Sequence, residues 1–248
     1  MSEESISVNK YISSTGFCSR RAADRLLEEG RVKINGQLAK KGNRVNPGDK
    51  VLVDNKPLKL KDDLVYILLN KPVGITCTTD LKDKDNIIDF LNYPKRIFPI
   101  GRLDKPSQGL ILMTNDGDIV NKILRAGNAH EKEYIVTVTK PITNDFVKKM
   151  SAGVPILDTI TQPCKVKRIN KNNFSIILTE GMNRQIRRMC EYLGYKVSRL
   201  KRTRIMHLSI DNLPNGKWRY LSQSELSKLK SSVKYSSKTE EASRSKKS

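Results

Sequence analysis

Histidine and cysteine are scarce in this sequence, and their scarcity narrows the chemistry open to it. His130 and His207 are its two imidazoles, so a Ser-His-Asp or Cys-His relay would rest on one of them. Cys18, Cys77, Cys164 and Cys190 are scattered without a CxxC pair, and neither histidine lies near one of them in sequence. That spacing predicts free thiols, no disulfide and no metal site. No stretch approaches the roughly 18 to 20 consecutive apolar residues that cross a bilayer, and the start, MSEESISVNK, lacks a signal peptide's apolar run. A cytoplasmic protein with no membrane attachment is expected. Neither GxxxxGKS/T nor GxGxxG occurs, so nothing signals nucleotide hydrolysis or a dinucleotide, and no cofactor is expected. Chemistry, if present, runs on carboxylate, tyrosine, lysine and arginine.

Acidic residues are also short. The 26 Asp and Glu face 47 Lys and Arg, a formal net charge of +21 over 248 residues. Such a field favours polyanions and speeds their capture. Length allows two domains, and the pattern divides that way.

Residues 5–61 read as a compact unit of two helices followed by short strands. Val8, Tyr11 and Ile12 form one apolar stripe; Ser19 is placed to cap a second helix, in which Ala22, Ala23, Leu26 and Leu27 recur at helical spacing until Gly30 ends it. Val32-Lys33-Ile34 and Val51-Leu52-Val53 alternate like strands, with turn signals at Asn35-Gly36 and Pro47-Gly48-Asp49. After a polar seam, residues 63–230 read as a mixed α+β sheet domain. Strands are expected at 64–69, 110–113, 134–138, 164–169 and 174–178, and helices at 118–124, 145–150 and 184–192. A last helix is announced by the capping box Ser222-Gln-Ser-Glu225. Residues 231–248 are Ser and Lys with little apolar content, which predicts a disordered basic tail.

In the first unit Ser19, Arg20, Arg21 and Arg25 put forked donors at a helix N-terminus and along one face, with Lys33 following. That is a phosphate-binding arrangement. In the second, the run IGRLDKPSQGLILMTNDG places Asp104 behind a glycine and an arginine and ahead of a buried strand. Gly101, Pro106 and Gly109 build a turn able to hold a side chain at the lip of a cleft. Arg102 precedes Asp104 by two and reads as a phosphate clamp. Arg184, Arg187, Arg188, Arg202 and four further basic residues crowd positions 184–204 against Glu191 alone, which reads as an RNA track. Lys71-Pro72-Val73-Gly74 should present Lys71 at a strand's end. Tyr66, Phe98 and Trp218 read as core.

The stretch VNKYISSTGFCSRRAADRLLEEGRVKINGQ resembles an S4 RNA-binding domain. Lys71-Pro-Val-Gly, GRLD, TNDG, HEKEY and EGMNRQIRRM, in that order, resemble the pseudouridine synthases. Within them the similarity is to the RsuA-like group, which carries an N-terminal S4 domain, and NYPKRIFPIGRLD, KILRAGN and RQIRRMCEYLGY bring it closest to the large-subunit rRNA synthase F branch. The resemblance implies an α+β chain: a small S4 domain of the αL type, then a mixed, mostly antiparallel catalytic sheet with helices packed on it. It implies an isomerase that flips a uridine, detaches it from its ribose, turns it and rejoins it through carbon 5, without an external cofactor. Asp104 matches the family's essential aspartate, Arg187 the basic partner of that aspartate, and Tyr134 its active-site tyrosine. A carboxylate serving the glycosidic carbon should be ionised and dry, through an acylal-like or a glycal intermediate. Large-subunit rRNA, as a precursor or assembly intermediate, is the implied partner, with tRNA as a further one and a monomer as the working form. Two rivals stand beside this reading: a non-enzymatic RNA-binding or ribosome-assembly factor, and an RNA glycosidase that releases free uracil.

Overall fold

The computed structural model describes residues 5–58, 63–125 and 128–236. The chain forms two compact units, one from the residues up to Leu64 together with Pro94–Arg96, the other from Val65–Tyr93 and from Ile97 onward. No helix among the described residues is long and apolar enough to cross a membrane.

The first unit starts with β1 (Ile6–Ser7), α1 (Val8–Ser14) and α2 (Arg20–Glu28). Then come β2 (Val32–Ile34), β3 (Gln37–Leu38), β4 (Arg44–Val45), β5 (Val51–Val53) and β6 (Lys56–Pro57). Ser19 caps α2 as expected, its side chain accepting from the Ala22 N–H at 3.1 Å. The helices bury Val8, Ile12, Ala23 and Leu27 on Val32, Val45, Val51 and Val53, so the apolar stripes read from the sequence meet in one small core. β3, β2, β5 and β6 form a four-stranded antiparallel sheet, and β1 pairs with β4.

The second unit contains β7 (Tyr66–Lys71), α3 (Ile87–Leu91), β8 (Phe98–Ile100), β9 (Gln108–Thr114), α4 (Gly117–Leu124) and β10 (Lys132–Val138). It continues with α5 (Asn144–Ala152), β11 (Pro155–Ile156), β12 (Thr159–Ile160), β13 (Lys165–Arg168) and β14 (Asn173–Leu178). Last come α6 (Gln185–Tyr192), β15 (Val197–Ile205), β16 (Leu208–Ser209), β17 (Trp218–Tyr220) and α7 (Gln223–Ser232). The main sheet runs β13-β14-β10-β15-β9-β7-β17, with β16 on β15 and β8 on β9. Every pairing is antiparallel except β15 with β9, where Lys201 and Arg202 lie opposite Gln108 and Gly109. β7 and β9 are buried along their whole length, because both sheet faces are covered there. Ile67, Leu69, Ile111 and Met113 enter one core with Phe146 and Phe174, while Tyr66, Leu68, Leu110 and Leu112 enter the other with Ile119, Ile123 and Leu229. The fold is α+β, as expected.

Three expectations change. β15, whose basic residues read as an RNA track, is the central strand. Trp218 is 38% exposed, not core, and meets Tyr93 and Tyr220 edge to face. The helix begun by the Ser222–Glu225 capping box runs past residue 230, and Val233 is buried with Leu229. The rest of the expected tail, residues 237–248, lies outside the described residues.

Candidate active site and RNA-binding face

Asp104 sits in the connection from β8 to β9. Gly101 opens the turn with φ +74°, a left-handed value that costs glycine nothing. Ser107 N–H closes it onto the Asp104 carbonyl at 2.9 Å. The loop is tied from outside as well: Gly74 N–H donates to the Lys105 carbonyl at 2.9 Å, Lys105 pairs with Asp85 at 2.7 Å, and Leu103 N–H points at the Cys77 sulfur at 3.4 Å. Behind it stands β9, all buried. A carboxylate on a braced turn keeps its position, as a reacting group requires.

Lys71 is one brace and is not presented to a ligand, contrary to the sequence expectation. Its side chain is fully buried, and the ammonium donates to the carbonyls of Pro72 at 2.8 Å and Ile75 at 2.7 Å. Burial pushes it below its usual range, while Cys77 and Asp104 pull it back. The reason is geometric: Lys71 is the last residue of a strand covered on both faces, so its tip folds onto the following turn.

A cleft of about 820 Å³ opens above Asp104, and Arg102, Tyr134, Arg184, Arg187 and Arg202 line it with Asp104 itself. Two arginines approach the carboxylate. Arg187 Nε lies 3.7 Å and Arg184 Nη1 3.8 Å from Asp104 Oδ2. Both distances exceed a hydrogen bond, so these are charge pairs with room to tighten. Arg187 is the more enclosed, its side chain 12% exposed against 46% for Arg184. It donates from Nη2 to Ser107 Oγ at 3.1 Å and to the Pro106 carbonyl at 3.2 Å, leaving its buried Nε without a hydrogen-bond partner. Burial and Arg184 push Arg187 below its usual range, and Asp104 raises it. The sequence assigns Arg184 to RNA alone, and the structure gives it a second role. It is the residue before α6, held at φ +50°, and that kink turns its side chain back to Asp104.

Asp104 is not dry. Its side chain keeps 34% of its exposure, so the protein alone leaves one edge open where a substrate would arrive. Tyr134 is 9% exposed on β10 and lines the same cleft, with the Arg202 guanidinium 6.0 Å from its ring centroid.

Arg202 corrects the sequence reading. It is 3% exposed and donates from Nε to the Leu110 carbonyl at 2.6 Å, so it is no surface phosphate contact. The register of β15 against β9 puts it inside the sheet's cleft wall. Arg188 is tied to the Asn183 carbonyl at 3.1 Å and the Asn183 side chain at 3.2 Å, bracing the loop before α6. Arg204, in the same basic run, pairs with Glu131 and Glu133, both at 2.9 Å. The basic run is therefore divided among cleft, braces and surface. Arg102 is exposed at the cleft's lip, as a phosphate clamp needs.

In the first unit Arg20, Arg21 and Arg25 are exposed on α2. The acidic residues near them are engaged elsewhere: Glu28 with Lys41, Glu29 and Asp54 with Arg31, and Asp24 with Asn9. Among the described residues no ion pair neutralises the α2 arginines, and a positive face remains. Lys33 is half-buried and donates to Asn55 at 3.0 Å. The four cysteines are free; burial pushes the Cys190 thiol up to about 12 and the Cys164 thiol up to about 11.

Residues 65–192 match the family model described as RNA pseudouridylate synthase, and residues 8–51 match that of the S4 domain. The "Dual-specificity RNA pseudouridine synthase RluF" of Escherichia coli strain K12 is 58% identical over 90% of this chain and 78% of its own length. The "Ribosomal large subunit pseudouridine synthase B" of Bacillus subtilis strain 168 is 36% identical over 90% of this chain and 95% of its own. A crystal structure of a pseudouridylate synthase superposes with a TM-score of 0.68 at 30% identity, covering 90% of this chain and 99% of that one.

Proposed function

This chain belongs to the RNA pseudouridylate synthase family, with an S4 domain ahead of its catalytic domain, and from that membership we propose that it isomerises a specific uridine of large-subunit ribosomal RNA. The observation that carries the reading is the shared cleft, in which a braced, partly open carboxylate, two arginines and a strand tyrosine meet. Breaking the bond from the ribose C1′ to uracil N1 puts positive character on C1′. Asp104 stabilises or captures that carbon, with the Arg187 and Arg184 guanidinium groups beside its carboxylate. Tyr134, on the cleft wall, stacks on the flipped base or moves its proton. Arg20, Arg21 and Arg25 on α2, with Ser19 and Lys33, hold RNA phosphates, as does Arg102 at the lip, and Arg184 serves both RNA and Asp104. The S4 domain spans residues 5–61, and the catalytic domain starts at 63 and takes in all of α7 and Val233 instead of ending at 230.

The substrate is an rRNA precursor or assembly intermediate, met by a monomer in the cytoplasm. "Dual-specificity" in the relatives' name favours a second RNA class beside the ribosomal one, with tRNA as the candidate. Asp104→Asn should keep RNA affinity and abolish pseudouridine formation, read by carbodiimide mapping of RNA from cells lacking the protein and complemented with either form. Retained isomerisation by the variant overturns the assignment. Rescue of an assembly defect by the inactive variant would favour the scaffold reading, and free uracil among the products would favour a glycosidase.

A further inference from the structure

We propose that Lys132 is a catalytic residue of this cleft, its ammonium receiving the negative charge of the uracil at the moment it leaves the ribose. The inference rests on the synthase reading above and adds to it a group for the base where Asp104 serves the sugar.

Lys132 opens β10, two residues before Tyr134, so both side chains stand on one sheet face; both line the cleft. Its strand neighbours in register, Leu178 and Ile205, line it too. The residue is 8% exposed, rare burial for a lysine. Its hydrogen bonding is poor: Nζ reaches only the His130 carbonyl, at 3.4 Å, and among the described residues it has no carboxylate at ion-pair distance. Glu180, the acid acting on it, is engaged by the Gln162 N–H at 3.0 Å and Gln185 Nε2 at 2.7 Å. Arg202 from β15 adds positive charge, and its Nη2 is buried without a partner. A buried ammonium and a buried guanidinium with so little neutralisation are costly, and the cost falls when an anion enters between them and the phenol.

The reaction supplies that anion. Heterolysis of C1′–N1 leaves the electron pair on N1, spread over O2 and O4 of a uracil anion, while C1′ is captured by the Asp104 carboxylate or the sugar gives its C2′ proton to that carboxylate. C5 of the turned base then bonds to C1′ as the Asp104–C1′ ester bond breaks, or as the glycal takes its proton back at C2′, and the C5 proton passes to N1, so atoms and charge balance without a co-reactant. A fixed cation at the base stabilises the transition state of the first step and holds the detached anion until it turns. Burial foremost, with Arg202 behind it, brings the Lys132 ammonium down to about 8 against the pull of Glu180. His130 beside it, Glu180 and Arg202 act on it, and Asp104, Arg102, Lys105, Arg184, Arg187 and the Tyr134 phenol line the same cleft. Because the charged form is required, the rate should fall as pH rises through about 8.

The test uses the full chain and two substrate RNAs differing at the target, uridine or 5-fluorouridine, whose fluorine stabilises the departing anion intrinsically. Lys132→Met keeps the side chain's length and apolar packing. It should slow single-turnover loss of the N-linked uridine by about 100-fold with RNA affinity unchanged, and slow loss of N-linked 5-fluorouridine by about ten-fold or less. Lys132→Arg should restore part of the rate and carry the plateau above pH 8. Equal losses on the two RNAs, an unchanged rate, or weakened RNA binding as the main effect of Lys132→Met overturns the inference. A wild-type chain that leaves N-linked uridine intact in ribosomal RNA overturns the synthase reading instead.

Discussion

At Arg187 one guanidinium does two things, bracing a loop and setting a positive charge beside a carboxylate. Nη2 holds Ser107 Oγ and the Pro106 carbonyl while Nε faces Asp104 at 3.7 Å. A lysine cannot do both, having a single nitrogen and no fork. Arg187→Lys is therefore expected to lower the single-turnover rate by roughly ten-fold or more and Arg187→Ala by about 100-fold, with RNA affinity little changed. Arg184, far more exposed, should matter less: Arg184→Ala is expected to cost under about ten-fold, since screened charge pairs are weak. Measured rates in the reverse order would show that Arg184 is the principal counter-ion. Sequence alone separates these residues poorly. RQIRRM announces a basic helix, but whether an arginine meets Asp104, Asn183 or solvent depends on where α6 begins and on the left-handed residue that begins it.

Among the elements, β15 is the one on which the cleft depends most and the one the sequence hides best. Val197 and Ile205 bound seven residues that include four arginines and lysines, and that charge conceals the strand pattern. Its burial comes from neighbours far away in the chain, β10 on one side and β9 on the other. Gly109 is what lets β9 approach. It has φ +114°, and a Cβ there would lie 2.2 Å from the Arg202 carbonyl oxygen and 2.6 Å from its nitrogen. Gly109→Ala should destabilise the protein by about 3 kcal/mol or more by denaturant titration, combining backbone strain with a clash against main chain. An alanine tolerated within about 0.5 kcal/mol would mean that the strands are not in this register. By contrast α2, α5 and α7 are legible, because each opens on a serine or threonine cap ahead of an apolar stripe. At α7 the cap has a pH signature. Arg219 and the Ser222 N–H hold Glu225 down to about 2 against 4.5. The folded value is the lower one, so this contribution is present above about 4.5 and is lost as pH falls from there through about 2. Amide exchange along α7 should accelerate on going from pH 7 to pH 3 once corrected for intrinsic rates, and Glu225→Gln should abolish that difference.

Across the whole molecule, charge sets the affinity and the cleft sets the chemistry. A formal charge of +21 predicts RNA binding that weakens steeply with salt. Replacing Arg20, Arg21 and Arg25 with alanine should weaken binding about equally for different RNA sequences. It should also reduce the slope of log affinity against log salt by about 2 to 3 units, roughly 0.7 to 0.9 for each phosphate no longer neutralised. An unchanged slope would show that α2 does not touch RNA. What the sequence by itself determined is local: net charge, helix caps, turn glycines, the apolar strand behind Asp104 and the order of motifs that names the family. Each depends on residues close together in the chain. What only the tertiary structure decided is which charges share a space. Lys71 folds onto its own turn, Arg202 is buried in the cleft wall, Arg184 swings to Asp104 and Lys132 enters the cleft, because strand register and burial, set by contacts between distant segments, choose among side chains that composition treats as alike.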